Sequence, residues 1–389
     1  MTGYPEVVIV GIGQVAVGEH WDVSLRELAG RALRSARKDA ADLVPQAVYA
    51  GSMLAASASH QANLGALVCE VAGLAGQAEG MTAEAAEASG AAALNLAWQA
   101  VRSGFVDVAA VVGVEKVTDV VGAGQELNLL GASLDADYEA SEGLTPAGQA
   151  ALLLQRYLYE NQFPREVLQG FPMIAHNNAV NNQNAMFRRG LTSKAYNKAA
   201  SAAAPLNAFD LAAHADGAAA LILTRADLVP KDLPHKPVKL LSSSLIAGRL
   251  AVHDRHEPLF FEAAAVSVGQ ACLKANVPLA NIDFFEYSDN STLHALLSLE
   301  AAGFAPRGQA WKLATDGSLA LTGSLPVATM GGHMGRGFPL GASGVYQAVE
   351  ACLQLRGEAG GNQITHARYG LIQSLAGTGA AAVTHILAG

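Results

Sequence analysis

Apolar residues recur along this chain in two rhythms. Short, largely β-branched runs predict strands buried on both faces: VVIVGIGQ at 7–14, AVYAGSML at 47–54, VDVAAVVGVEK at 106–116 and DGAAALILT at 216–224. Between them, stretches with apolar residues three and four apart predict helices over 24–40, 60–75 and 89–103. Ser24 with Glu27 is a capping-box signature, and Gly104 stops the third helix. After residue 236 the alternation returns, with a strand at 237–246, a helix at 262–275, a strand in IDFFEYSD and helices in TLHALLSLEAAG and GASGVYQAVEACLQLRG. The last of these mirrors EASGAAALNLAWQAVRSG, with the same Ser-Gly turn, amphipathic helix and closing Gly, the mark of an internal duplication.

Helices alternating with apolar strands predict an α/β sheet covered on both faces. The expected division is one half from 1–120 with 206–235 and a second half from 236–389. Residues 121–205 break the pattern: they are polar, rich in Asn, Gln and aromatic residues, and predict a helical insertion or lid that shapes a ligand pocket.

Composition narrows the function. The chain has 389 residues, 51% of them hydrophobic and 15% charged, with 40 glycines, which suits a compact protein of two domains or two similar halves. The net charge is -9 and its cations are scattered singly, so neither a nucleic acid nor a membrane surface is an expected partner. There is no basic leader and no apolar run of about 18 residues, which predicts a cytoplasmic protein. Cys69, Cys272 and Cys352 follow no CxxC spacing, so neither a metal site nor a disulfide framework is expected. GIGQVAVG departs from a dinucleotide-binding fingerprint because no compact strand-turn-helix follows it.

Seven blocks, in order, carry a resemblance: EAAEASGAAAL, SGFVDVAAVVGVEKVTD, AHNNAVNNQNAMF, APLNAFDLAAHADGAAALILT, IDFFEYSDNSTLHALLSLEAAGF, MGGHMGRGFPLGASG and AGTGAAAVTHIL. They span nearly the whole chain, which resembles the thiolase superfamily, in particular the sterol-carrier-protein-2-type thiolases and the acetyl-CoA acetyltransferases near them. The resemblance implies two βαβαβ halves in a five-layer α-β-α-β-α sandwich with a loop insertion. It also implies a homodimer or higher homo-oligomer, a coenzyme A thioester as substrate or ligand, and no permanently bound cofactor. Several relatives work with an OB-fold and zinc-ribbon (DUF35-like) subunit, so such a partner is a further implication. Family catalysis uses a cysteine at a helix N-terminus, activated by one histidine, with a second histidine helping to form an oxyanion hole.

Position by position, the chemistry departs from that pattern. Glu87 stands where the family has its cysteine, Ser288 replaces the histidine before Asp289, Phe338 replaces the histidine of the GHP motif, and Ala328 replaces an asparagine. The glycine-rich scaffolding stays. These losses together argue against an acyl-cysteine intermediate and leave three readings of Glu87. It is an acid or base for aldol, decarboxylation or hydration chemistry, as in relatives that cleave steroid side-chain CoA esters; or it caps its helix in a non-catalytic scaffold; or it contacts the acyl group in a CoA-ester binder. Tyr287, Ser288, Tyr346 and His333 are the candidate proton carriers beside it. Gly331, Gly332, Gly341 and Gly344 are the expected backbone cradle, Phe338 is expected to pack against or block the acyl channel, and His176 falls in a block near the ligand. Asn178 and Asn182 read as structural, and His214 and Asp216 as braces for the following strand.

Overall fold

A computed structural model describes residues 4–389. The described strands are β1 (Val7–Gln14), β2 (Ala47–Gly51), β3 (Glu79–Ala83), β4 (Val108–Glu115), β5 (Ser201–Ala203), β6 (Leu206–Asn207), β7 (Gly217–Arg225), β8 (Val238–Ala247), β9 (Phe284–Glu286), β10 (Tyr369–Ala376) and β11 (Ala381–Ala388). Nine of them run in the order β3-β2-β4-β7-β1-β8-β11-β10-β9, while β5 and β6 pair separately. Within the sheet the described strands of the two halves pair through a short antiparallel contact, Val8 with Lys239 and Ile9 with Val238.

Because successive strand residues face opposite ways, each half of the sheet feeds two cores. Val8, Val10, Ala110 and Val112 pack under the outer helix Leu25–Asp39. Val7, Ile9, Ala109 and Val111 face inward, where they meet Phe284, Ile372 and Val383 from the other half around the central helices Ser89–Ser103 and Ser343–Arg356. Phe285, Leu371 and Ile386 face out again, onto the helices Glu262–Ala275 and Thr292–Ala302. That alternation is the five-layer sandwich expected of a thiolase fold.

The central helices touch at backbone level. A Cβ on Gly344 would lie 2.6 Å from Ala91 N, and one on Gly90 would lie 2.8 Å from Gly341 O. This contact fixes the start of the Ser89–Ser103 helix, with Glu87 two residues before it.

Some local expectations change. Ser24 accepts the Glu27 N–H at 3.2 Å, but the Glu27 carboxylate turns to Arg31 and Arg34, so only half the capping box forms. The strand foreseen over 47–54 ends at Gly51, because the buried Glu115 carboxylate accepts from Ser52 Oγ and from the Met53 and Leu54 N–H groups and curls the chain. The helix foreseen at 60–75 shortens to Leu64–Val71. β3 has no apolar alternation to betray it; four of its five residues are exposed at the sheet edge. The insertion is mainly helical, including Ala123–Leu130, Pro146–Asn161 and Gly170–Ala179, and it also contains β5, which pairs with β6 just beyond its end. No helix among the described residues is long and apolar enough to cross a membrane.

Candidate active site

The Ser89–Ser103 helix starts from a strained turn. Ala86 holds φ at +47°, unusual for a residue with a side chain, and Ser89 locks the turn by donating to Ala86 O at 2.6 Å and accepting from Ala85 N at 3.0 Å. The result aims Glu87 away from its own helix. The Glu87 carboxylate does not cap that helix, whose N-cap is Ala88 without a side-chain bond; it accepts the Gly377 N–H, from the second half, at 2.6 Å. Glu87 is only 7% exposed, and burial raises its pKa above the usual carboxylate range, opposed by hydrogen bonds from Gly377, its own N–H and Ser133. The proton is therefore held to higher pH than on an exposed glutamate.

Glu87 lies in a cavity of about 120 Å³, together with His214, Asn290, Ser291, His294, Gly377 and Thr378. Its remaining walls are apolar except for Thr145: Leu127, Leu130, Thr145, Pro146, Ala147 and Ala150 come from the insertion, then Leu211, Ala212 and Phe338. The second half contributes its polar groups through the Thr292–Ala302 helix. Ser291 caps that helix, accepting His294 N–H at 3.4 Å, and its Oγ lies 2.8 Å from His294 Nδ1. Asp210 anchors the same helix start, accepting from Thr292 Oγ1 at 2.8 Å, from Tyr196 at 2.7 Å and from Arg165. Burial drives the His294 imidazole down to about 4, so it is neutral near pH 7.

His333 lies behind the wall. Its ring stacks on Phe338 with centroids 4.7 Å apart, its Nδ1 is 2.8 Å from Asn290 Oδ1, its own N–H binds Asp289 at 2.6 Å, and its buried Nε2 has no partner. Burial keeps this histidine uncharged. His333 thus reaches the cavity through Phe338 and Asn290.

The other residues singled out in the sequence divide cleanly. Phe338 lines the cavity beside Glu87. Ser288 does not: its Oγ accepts Leu375 N–H at 3.0 Å and lies 3.4 Å from Gln373 O, tying the loop after β9 to β10. Tyr287 points into the outer core beside Phe285, and Tyr346 donates to Val15 O at 2.6 Å, a fold contact. Gly341 and Gly344 serve close approach: a Cβ on Gly341 would meet Met53 N at 2.4 Å. Gly331 and Gly332 shape the turn over Asp289, with φ of +112° and +53°, and Ala328 adopts the left-handed conformation nearby. His176 borders a different cavity with Arg188, Arg189 and Phe209, while Asn178 and Asn182 bind the Val327, Ala328 and Met330 carbonyls.

Asp216 is the brace expected of it, accepting from Val117, Thr118, His20 and Lys116. His214, two residues earlier, instead faces the cavity and lies 3.3 Å from Glu126. His294, Asn290, Ser291 and Thr378 were missed altogether. TLHALLSLEAA is apolar on nearly every side, so its histidine reads as core; the Ser291 N-cap was the available signal.

Comparison with known proteins matches the model "Thiolase, N-terminal domain" over residues 7–227 and "Thiolase C-terminal domain-like" over 247–389. The chain belongs to the thiolase family. An acetyl-CoA acetyltransferase of Methanothermobacter thermautotrophicus is 35% identical over 385 residues, covering 98% of this chain and 99% of the relative. The benzoylsuccinyl-CoA thiolase subunit BbsB of Thauera aromatica is 27% identical over 92% of this chain and 91% of its own. Among solved structures, an Ltp2-ChsH2(DUF35) aldolase superposes with a TM-score of 0.84 at 23% identity, covering 98% of this chain and 97% of that one. At that identity the likeness concerns the fold.

No cysteine lines the cavity of this thiolase-family chain. Cys69 and Cys352 are buried elsewhere and Cys272 is half-buried on an outer helix. Burial raises all three thiols, Cys352 to about 12, the reverse of nucleophile activation.

Proposed function

We propose that this thiolase-like protein acts on an acyl-CoA thioester by carbon–carbon bond chemistry without an acyl-cysteine, with Glu87 as the proton carrier. The observation that carries this reading is a buried carboxylate of raised pKa in a cysteine-free cavity that also holds a neutral histidine, and the family resemblance of EAAEASGAAAL supports it by implying a nucleophile at that position. In the cleavage direction, the Glu87 carboxylate takes the proton of a β-hydroxyl group. The Cα–Cβ bond breaks, its electron pair passes to the thioester enolate, and the carbinol carbon leaves as a carbonyl compound. Glu87 returns the proton to Cα, giving a shortened acyl-CoA. Asn290 supplies a hydrogen bond for the developing oxyanion, one of His294 and Ser291 supplies a second, since these two share the proton between Nδ1 and Oγ, and Gly377 N–H becomes a further donor once Glu87 releases it.

That one structural neighbour is an aldolase supports this reading. The names of the acetyltransferase relatives favour ordinary acyl transfer, against which stands the position of the three cysteines. A second reading, a non-catalytic scaffold, draws on the satisfied state of Glu87, whose carboxylate is held by Gly377 and Ser133 like a plug. A homodimer through the exposed β3 edge and a DUF35-type partner subunit complete the proposal. The test is product analysis by mass spectrometry after incubating the protein with β-hydroxyacyl-CoAs. The proposal expects a carbonyl product in equal amount with a shortened acyl-CoA and no acyl adduct on the protein. An adduct on cysteine, or no conversion with and without a DUF35-type subunit, defeats it.

A further inference from the structure

The cavity around Glu87 is small, and its roof is fastened down. At about 120 Å³ it falls below the roughly 150 Å³ engineered cavity that accepts benzene, so the group it holds has about six carbons or fewer. Its polar lining is Glu87, His214, Asn290, Ser291, His294 and Thr378 with Thr145, and the insertion supplies most of the apolar lining. Leu130 and Ala150 are thus walls against which an acyl group packs.

Such a volume limits a substrate only if the roof stays in place, and three ties hold it. Thr378, next to the Gly377 that binds Glu87, donates to Gln149 Oε1 at 2.5 Å on the Pro146–Asn161 helix. On the far wall, Glu126 of the Ala123–Leu130 helix pairs with His214 at 3.3 Å. Glu139 accepts Val252 N–H from the second half at 2.7 Å. Opening the roof to admit a larger group would break contacts that also position Glu87. Leu130 is 6% exposed and Ala150 1%, so both pack as walls with little room to yield.

We propose that the acyl group accepted here is compact and apolar, of about six carbons, and that Leu130 and Ala150 set the limit. The substrate class is a short-chain or single-ring acyl-CoA, with fused-ring and long-chain acyl groups excluded. This rests on the assignment of an acyl-CoA ligand to this cavity, but on neither the reaction nor the role of Glu87.

Saturated acyl-CoAs from C2 to C12, which lack a β-hydroxyl and cannot undergo the cleavage, supply the test by calorimetric binding relative to free CoA. Affinity is expected to rise about fourfold per methylene up to about C6, then to fall at least tenfold by C10. Leu130→Ala is expected to move the break to longer chains by two or three carbons, and Ala150→Val to move it to shorter ones. The two variants change volume in opposite senses, so misfolding of one leaves the other as a test. Affinity that climbs steadily through C12, a break unmoved in whichever variants fold, or no binding beyond that of free CoA would each overturn the size limit. If the break appears as described while β-hydroxyacyl-CoAs are not turned over, the size limit stands and the reaction assignment fails.

Discussion

Replacing Gly344 with alanine separates two roles for the glycine-rich loop, ligand cradle or helix packing. The added Cβ would lie 2.6 Å from Ala91 N, 2.7 Å from Ala91 Cβ and 2.8 Å from Ser374 Oγ. Two of these atoms belong to the Ser89–Ser103 helix, so relief requires that helix to move by close to 1 Å relative to Ser343–Arg356. Overpacking of this kind costs about 1–3 kcal/mol. With an unfolding entropy of about 2.1 cal/mol/K per residue, a chain of 389 residues loses about 1–4 °C of Tm for that cost. The same movement displaces Glu87 at the start of the shifted helix, and a misplacement near 1 Å costs about 10²-fold in rate. Thermal unfolding, acyl-CoA calorimetry and initial rates on Gly344→Ala should therefore show a lower Tm and a lower kcat with binding largely kept. A variant with the parent's Tm that no longer binds any acyl-CoA would show that Gly344 faces the ligand, and the packing argument would be wrong.

Alkylation with iodoacetamide under native conditions should leave turnover within about twofold of the untreated protein, since no cysteine lines the cavity and burial raises all three thiols; full inactivation protected by substrate would contradict this. The ion pair between the fully buried Arg336 and Glu350, 2.6 Å apart, should make Arg336→Ala lose about 3–5 kcal/mol in denaturant unfolding, because a carboxylate is left buried and alone. A smaller loss in Arg336→Met/Glu350→Leu would support that cause, and an equal one would refute it. Glu87 has a folded pKa above its unfolded one, so its contribution to stability is complete in acid and is lost as pH rises through the folded value. The Tm of Glu87→Gln relative to the parent should accordingly increase from pH 5 to pH 8, and a difference that shrinks with pH would show a depressed pKa instead.

The layers were legible in the sequence because a strand buried on both faces must be apolar throughout, as VVIVGIGQ and VDVAAVVGVEK are. The edge strand EGMTA escaped notice for the converse reason: only its last residue is buried. Glu87 and Phe338 could be located because each interrupts a glycine-rich block whose spacing survives around it. Ser288, in an equally marked block, turns out to tie Leu375 and Gln373 instead of facing the cavity, since a block fixes the backbone path but not the direction of a shortened side chain. His294 was hidden by a helix buried on all sides, where neighbouring leucines make any polar residue look incidental. His214 and Asp216 read alike from their shared loop, yet the irregular backbone before β7 sends one to the cavity and the other to the brace, where a regular strand would have put residues two apart on one face.

The central claim is that the Glu87 carboxylate moves the proton in a reaction that needs no cysteine. Its most direct test compares the parent with Glu87→Gln under single turnover of a C6 β-hydroxyacyl-CoA, with calorimetry on both proteins and any required partner subunit present in both. Glutamine keeps an acceptor for Gly377 N–H but cannot take a proton, so the account predicts unchanged binding and a rate lowered by about 10²–10⁴-fold. Turnover by Glu87→Gln at the parent's rate would contradict it, and would leave Glu87 as the plug of a pocket whose chemistry lies elsewhere.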